Sequence, residues 1–175
     1  VNLQALSSLV VSGNEKLQVL NCYKNKLTSL DLSKNKELTH LTCRNNQLTR
    51  LDLSANGKLQ SLDCAVNNLA DLKLNPSAPL QKVNLSSNQF IGWSATGYAQ
   101  LEEVACFGNF ISSEKMIALI QSLPMRTAEN PGSFYMVDTQ DFPNGRYSAD
   151  IVKEAIKKNW KVFDNKGGKK GVTYE

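Results

Sequence analysis

Four cysteines, a single histidine and a few aligned carboxylates are the residues that could do chemistry in this 175-residue chain. Cys22, Cys43 and Cys64 are 21 residues apart, and Cys106 falls two such steps further on. Four cysteines invite a disulfide framework or a metal site. If the spacing is that of neighbouring parallel strands, side chains at one repeated position stand about 4.8 Å apart. A disulfide wants its Cβ atoms at about 3.5–4.5 Å, and Cys106 would lie about 9.6 Å from Cys64. Three adjacent thiols also cannot all pair. Leu85 holds the intervening position, so the slot asks for a small buried apolar group. The thiols are therefore expected to be reduced and packed, and no CxxC or Cys/His cluster argues for zinc.

The other candidates reduce to surface chemistry. His40, as a catalytic base, would need a nucleophile and an orienting carboxylate, and the neighbouring steps offer Val19 and Ser61. Asp31 and Asp52 align 21 apart and could share a cation, but they also fit an exposed ladder of solvated charge. Glu102 and Glu103 against Lys82 fit rim charge. Gly167-Gly-Lys-Lys-Gly171 lacks the spacing of a phosphate-binding loop and reads as a flexible tail. Lys153 to Lys170 holds seven lysines against Glu154 and Asp164, which fits a solvated helix face or an anionic glycan. No catalytic residue, metal site or cofactor is assigned, and an enzyme is not expected.

What positions these residues is a phrase that recurs with a constant step. Leu17-x-x-Leu20-x-Cys22-x-x-Asn25-x-Leu27 returns from Leu38, from Leu59 and, more loosely, from Leu80 and Leu101. A fixed period of this length means stacked repeats, because one coil cannot bury its apolar face alone. Leu20-x-Cys22 alternates with period two, the mark of a half-buried strand. That alternation places Asn21, Thr42, Asp63, Asn84 and Ala105 outward on a front sheet. Asn25, Asn46, Asn67, Asn88 and Asn109 end each strand, where an amide can donate and accept to the turning backbone of its own and the next coil. Leu30-Asp-Leu32, Leu51-Asp-Leu53 and Leu72-Lys-Leu74 alternate again and read as short extended back segments. Pro76 and Pro79 interrupt this pattern, and Trp93 to Tyr98 is irregular.

From residue 112 the pattern changes. Ser112 or Ser113 can cap a helix carrying Met116, Ile117, Leu119, Ile120 and Leu123 before Pro124. Phe134 to Val137 reads as a strand, Asp138 to Tyr147 as a loop, and Ser148 as the cap of a second helix with Ile151, Val152, Ala155 and Ile156 on one face. Trp160 to Phe163 reads as a further strand. The expected architecture is α/β: a right-handed solenoid over 1–111 with a parallel front sheet, closed by a β-α-β-α-β cap over 112–175. The cap is expected to add two strands. Leu6, Leu9, Val11 and Asn14 lie 21 before Leu27, Leu30, Leu32 and Asn35, so the chain starts mid-coil and upstream repeats or a capping segment are expected.

Composition agrees with a globular chain: hydrophobic residues make up 41% and charged residues 21%. The net charge of +4 is split evenly, ten basic and eight acidic residues on each side of residue 111. That is too mild for a nucleic-acid groove. No apolar run approaches the roughly 18 residues that span a bilayer.

The phrase L-x-x-L-x-C-x-x-N-x-L-T-x-L-D-L-S-x-N resembles the bacterial cysteine-type leucine-rich repeats of the internalin J kind, and looks closer still to surface or secreted repeat proteins of gut Bacteroidetes. Met116 to Pro124, Phe134 to Asp138 and Asn159 to Asp164 also look like the ends of such proteins. Leu85 and the proline-interrupted fourth coil depart from the pattern. The resemblance implies a non-enzymatic, extracellular or cell-surface binding module and carries over no functional residue. Candidate contacts come from the outward set on the front sheet: Tyr23, Lys24, His40, Thr42, Arg44, Asp63, Lys82, Asn84, Ser86 and Phe107. Aromatic and arginine groups on a rigid sheet are the kind that anchor partners. The expected partner is a protein or glycan bound by a monomer; the alternative is a spacer or adhesin stalk that presents another domain.

Overall fold

Every 21 residues the chain lays down one short strand beside the last. The computed structural model describes residues 6–137, 147–164 and 173–174. The strands β1 (Val19–Asn21), β2 (His40–Thr42), β4 (Ser61–Asp63), β6 (Lys82–Asn84) and β7 (Glu103–Ala105) pair in parallel in that order. Their register never slips: His40 faces Ser61, Ser61 faces Lys82, and Lys82 faces Glu103. Such constancy follows from the burial of one residue type per position, since a slip by one residue would turn every leucine to solvent. Leu41, Leu62, Val83 and Val104 point inward and are buried.

On the opposite side, β3 (Arg50–Leu53) and β5 (Asp71–Leu74) form a separate two-stranded parallel sheet. The back segments expected around Leu30 and at Trp93–Tyr98 form no strand. In the second of these, Trp93 and Tyr98 stack instead, with ring centroids 6.3 Å apart.

Each strand ends by turning through the left-handed region, at Lys24, Asn45, Val66, Ser87 and Gly108, with φ of 54–66°. The asparagines one place later fix that turn. Asn46 Nδ2 donates to Cys43 O of its own coil at 2.9 Å and to Cys22 O of the coil before at 3.0 Å. Its Oδ1 accepts the Leu27 N–H, also from the preceding coil, at 3.0 Å. Asn67, Asn88 and Asn109 repeat the pattern. The bonds therefore reach back one coil rather than forward to the next, because the amide lies between its own strand end and the one already laid.

Beyond residue 111 the sheet continues. Helix α1 (Ser113–Ser122) begins at Ser112, whose hydroxyl accepts the Lys115 N–H, and is followed by β8 (Gly132–Val137) parallel to β7. Helix α2 (Ala149–Ile156) leads to β9 (Trp160–Asp164), parallel to β8 with an irregularity between Tyr135 and Val137. Ser148 sits at the start of α2 with extended φ and ψ, yet its side chain makes no capping bond. Strand β10 (Thr173–Tyr174) then pairs antiparallel with β9, so three strands are added where two were expected. The loop at 138–146, the tail at 167–171 and the lysines beyond 164 lie outside the described residues.

The strands and helices enclose one continuous apolar core running from Val11 to Val162, with Phe134 edge-on to Trp160. Trp160 donates its Nε1–H to Pro124 O at 2.8 Å. A Cβ on Gly132 would come within 2.4 Å of the Trp160 ring, so only glycine fits there. Lys158 Nζ donates to Ile120 O, Gln121 O and Leu123 O and so occupies the carbonyls that the end of α1 leaves open.

Candidate functional site

All four thiols are free and buried in the core. Burial pushes Cys22 up to about 11 and Cys106 up to about 12. Burial also raises Cys43 and Cys64 well above the ordinary thiol value. A thiol held protonated is neither a nucleophile nor a metal ligand. These cysteines are packing groups.

The outward residues of the front sheet fall into three rows that run across the strands. The first holds Val19, His40, Ser61, Lys82, Glu103, Ser133 and Lys161. The second holds Asn21, Thr42, Asp63, Asn84, Ala105, Tyr135 and Phe163. The third continues beyond the strand ends as Tyr23, Arg44, Ala65, Ser86 and Phe107, tied by the Lys24 N–H to Arg44 O, Val66 N–H to Ser86 O and Ser87 N–H to Phe107 O bonds. Tyr23, Lys24, His40, Arg44 and Lys82 are exposed, while Asp63, Asn84 and Phe107 are half-buried. Two residues expected outward are covered: Ser86 is 2% and Ala105 is 8% exposed. Both are small: Ala105 lies between the larger Asn84 and Tyr135, and Ser86 lies beside Phe107 with its hydroxyl turned onto Asn84 Oδ1.

Electrostatics on this face are largely self-contained. Lys82 lies 3.6 Å from Glu103 and 4.0 Å from Glu102. Lys24 stands over the Tyr23 ring at 5.7 Å. Desolvation raises the Asp63 carboxyl, opposed by the Ala65 N–H that it accepts and by nearby Arg44. His40 Nδ1 is 2.9 Å from Thr39 Oγ1 of the same chain segment, so the ring is engaged locally.

An aromatic pair that the sequence reading passed over completes the surface. Tyr135 and Phe163 stack with centroids 4.9 Å apart and planes 20° from parallel, both half-buried. The signal was present in the alternation Phe134-Tyr-Met136 and Val162-Phe, where every second residue must face away from the core.

On the back, a cavity of about 490 Å³ is lined by Asp31, Asp52, Asp71, Arg50 and Lys73 together with Ser29 and Ser54. The Ser33 N–H and hydroxyl hold Asp31 below the usual carboxylate range, and the Ser54 hydroxyl and N–H do the same for Asp52. One oxygen of Asp31 and one of Asp52 are bound within their own turns. Among the described residues no cluster of three or more His, Cys, Asp or Glu could hold a metal ion.

The fold is thus a mostly parallel, repeat-built α/β sheet, and the candidate contact residues lie along its front face. No protein-family description matches the sequence, and no curated protein matches it. Among solved structures the chain is similar to the functional domain of InlJ from Listeria monocytogenes, described as including a cysteine ladder, at 19% identity and a TM-score of 0.29. The likeness covers 78% of this chain and 44% of that one, so this chain spans less than half of its length. An overlap of that degree carries no argument about function or fold. Among the described residues no helix is long and apolar enough to cross a membrane.

Proposed function

We propose that the chain is a non-enzymatic binding module of a secreted or cell-surface bacterial protein, and that its front sheet engages a protein or glycan. In this reading the repeats form a right-handed solenoid, with residues 112–175 as its closing cap. One observation carries it: inward positions repeat the same residue types, while the outward rows differ at every strand and carry Tyr23, Arg44, Tyr135 and Phe163 on a backbone of fixed register. A surface of this kind presents preorganised anchors, which lowers the ordering cost of association. His40 and the back-face carboxylates, engaged by their own neighbours, fit this reading better than a catalytic one. The test is capture of a partner by the chain and by a Tyr23→Ala, Arg44→Ala, Phe107→Ala triple variant. Loss of capture is expected; undiminished capture both by a folded triple variant and by Tyr135→Ala would move the contact off this face.

A further inference from the structure

The second outward row changes character along its length. From β2 to β6 it offers Thr42, Asp63 and Asn84, and from β8 to β9 the stacked Tyr135 and Phe163, with Ala105 between. Ala105 is a methyl group, so no ring covers the side of Tyr135 that is turned away from Phe163. The polar half is poised to bond outward. Asn84 Oδ1 is taken by the Ser86 N–H at 3.1 Å and by the Ser86 hydroxyl, which leaves the amide Nδ2 as a donor facing solvent. Asp63 Oδ1 accepts the Ala65 N–H at 3.1 Å, which leaves its other oxygen as an acceptor. Thr42 supplies a hydroxyl beside them. At about 4.8 Å per strand, the row from Thr42 to Phe163 extends about 24 Å.

Both signs of charge are interspersed close by: Lys82 beside Glu102 and Glu103, Lys24 over the Tyr23 ring, and Arg44 near Asp63. A face balanced in this way offers no net field to a polyanion or polycation. The centre of a protein–protein contact is apolar and poor in charge. Here the centre is a donor, an acceptor and a hydroxyl, with aromatic surface at one end only. Ring faces that take apolar C–H surface, next to fixed groups that take hydroxyls, match a ligand that is apolar on one side and hydroxyl-rich at its edges.

We propose that the front sheet binds a neutral, hydroxyl-rich oligosaccharide, one sugar ring resting on Tyr135 and the following units bonded by Asn84, Asp63 and Thr42. This deepens the front-sheet reading and rests on it. The probes are neutral hexasaccharides of glucose, mannose, galactose and N-acetylglucosamine, with a heparin hexasaccharide as the anionic arm, titrated into the full chain by calorimetry. At least one neutral probe is expected to bind, Tyr135→Ala to weaken it about tenfold, and Tyr135→Phe to keep most of the affinity. Circular dichroism of both variants shows whether the fold is kept, and Asn84→Ala, which changes no core residue, gives a second loss. Binding of none of the neutral probes, binding of heparin alone, or neutral binding that Tyr135→Ala and Asn84→Ala leave unchanged overturns the saccharide proposal. A protein partner lost in the triple variant above would still leave the front-sheet reading intact, so the two fail separately.

Discussion

Replacing Asn67 by alanine puts a number on the bonds that join one coil to the next. Asn67 is 8% exposed and donates Nδ2 to Cys43 O, Cys64 O and Ala65 O, while its Oδ1 accepts the Leu48 N–H at 3.0 Å. The carbonyls are shared: Asn46 also donates to Cys43 O, and Asn88 also donates to Cys64 O. Each therefore keeps one donor after the substitution, and the group left without any partner is the buried Leu48 N–H. An orphaned buried N–H costs about 1–3 kcal/mol. With two weakened carbonyls added, the loss should total about 2–4 kcal/mol. For a chain of this size that lowers Tm by roughly 5–15 °C. Urea and thermal unfolding followed by circular dichroism measure the loss, and amide exchange should show the Leu48 N–H losing protection first. Asn68→Ala, one residue on and exposed, should stay within about 0.5 kcal/mol. A loss under about 1 kcal/mol for Asn67→Ala, or equal losses at both positions, would refute the orphaned-donor argument.

Val66 holds a β-branched side chain at φ 56°, where its column otherwise has Lys24, Asn45, Ser87 and Gly108. Val66→Asn should relieve about 1 kcal/mol and raise Tm by about 2–4 °C; a lower Tm would contradict the strain. Gly132→Ala forces the Trp160 ring out of contact and should cost about 1–3 kcal/mol, with a change in tryptophan fluorescence as its bond to Pro124 O is lost. Native-state alkylation followed by mass spectrometry should label Cys22 before Cys43, Cys64 and Cys106, because it is the least buried and is raised only to about 11. Its labelling rate should climb with pH toward that value as the thiolate fraction grows; a flat rate, or faster labelling of Cys64, would count against burial as the control.

Period and alternation made the front strands legible because one inward residue type per position leaves a single register. The asparagines were legible as turn-fixing groups, but the direction of their bonds was not, since spacing alone cannot say which neighbouring coil an amide reaches. Ala105 and Ser86 show where alternation stops being informative: it tells which way a side chain points, while its exposure depends on the bulk of the residues beside it. Strand β10 follows a stretch whose sequence, rich in glycine and lysine, carries no period. Lys158, capping α1 from 35 to 38 residues away, has no sequence signature. The Tyr135–Phe163 stack was missed for a different reason. Its rings alternate with Phe134, Met136 and Val162, and in an unbroken apolar run residue type does not separate the inward face from the outward one. A second asparagine series, Asn35 and Asn56, was seen only as part of the repeated phrase. The structure has Asn56 Nδ2 donating to Leu32 O and Asn35 O, with both residues fully buried.

Because the carbonyls of Cys22, Cys43, Cys64 and Leu85 each serve two asparagines from successive coils, a coil is defined as much by its neighbour as by itself. Cutting out one whole period, for instance residues 38–58, would bring Asn67 over Cys22 with Cys22 O and the Leu27 N–H taking the places of Cys43 O and the Leu48 N–H, whereas removing twenty or twenty-two would misalign every amide beyond the cut. Lengthening or shortening of such a chain is therefore quantised. Natural variants that differ in size should differ by complete units, with the outward residues of each unit free to diverge once copied.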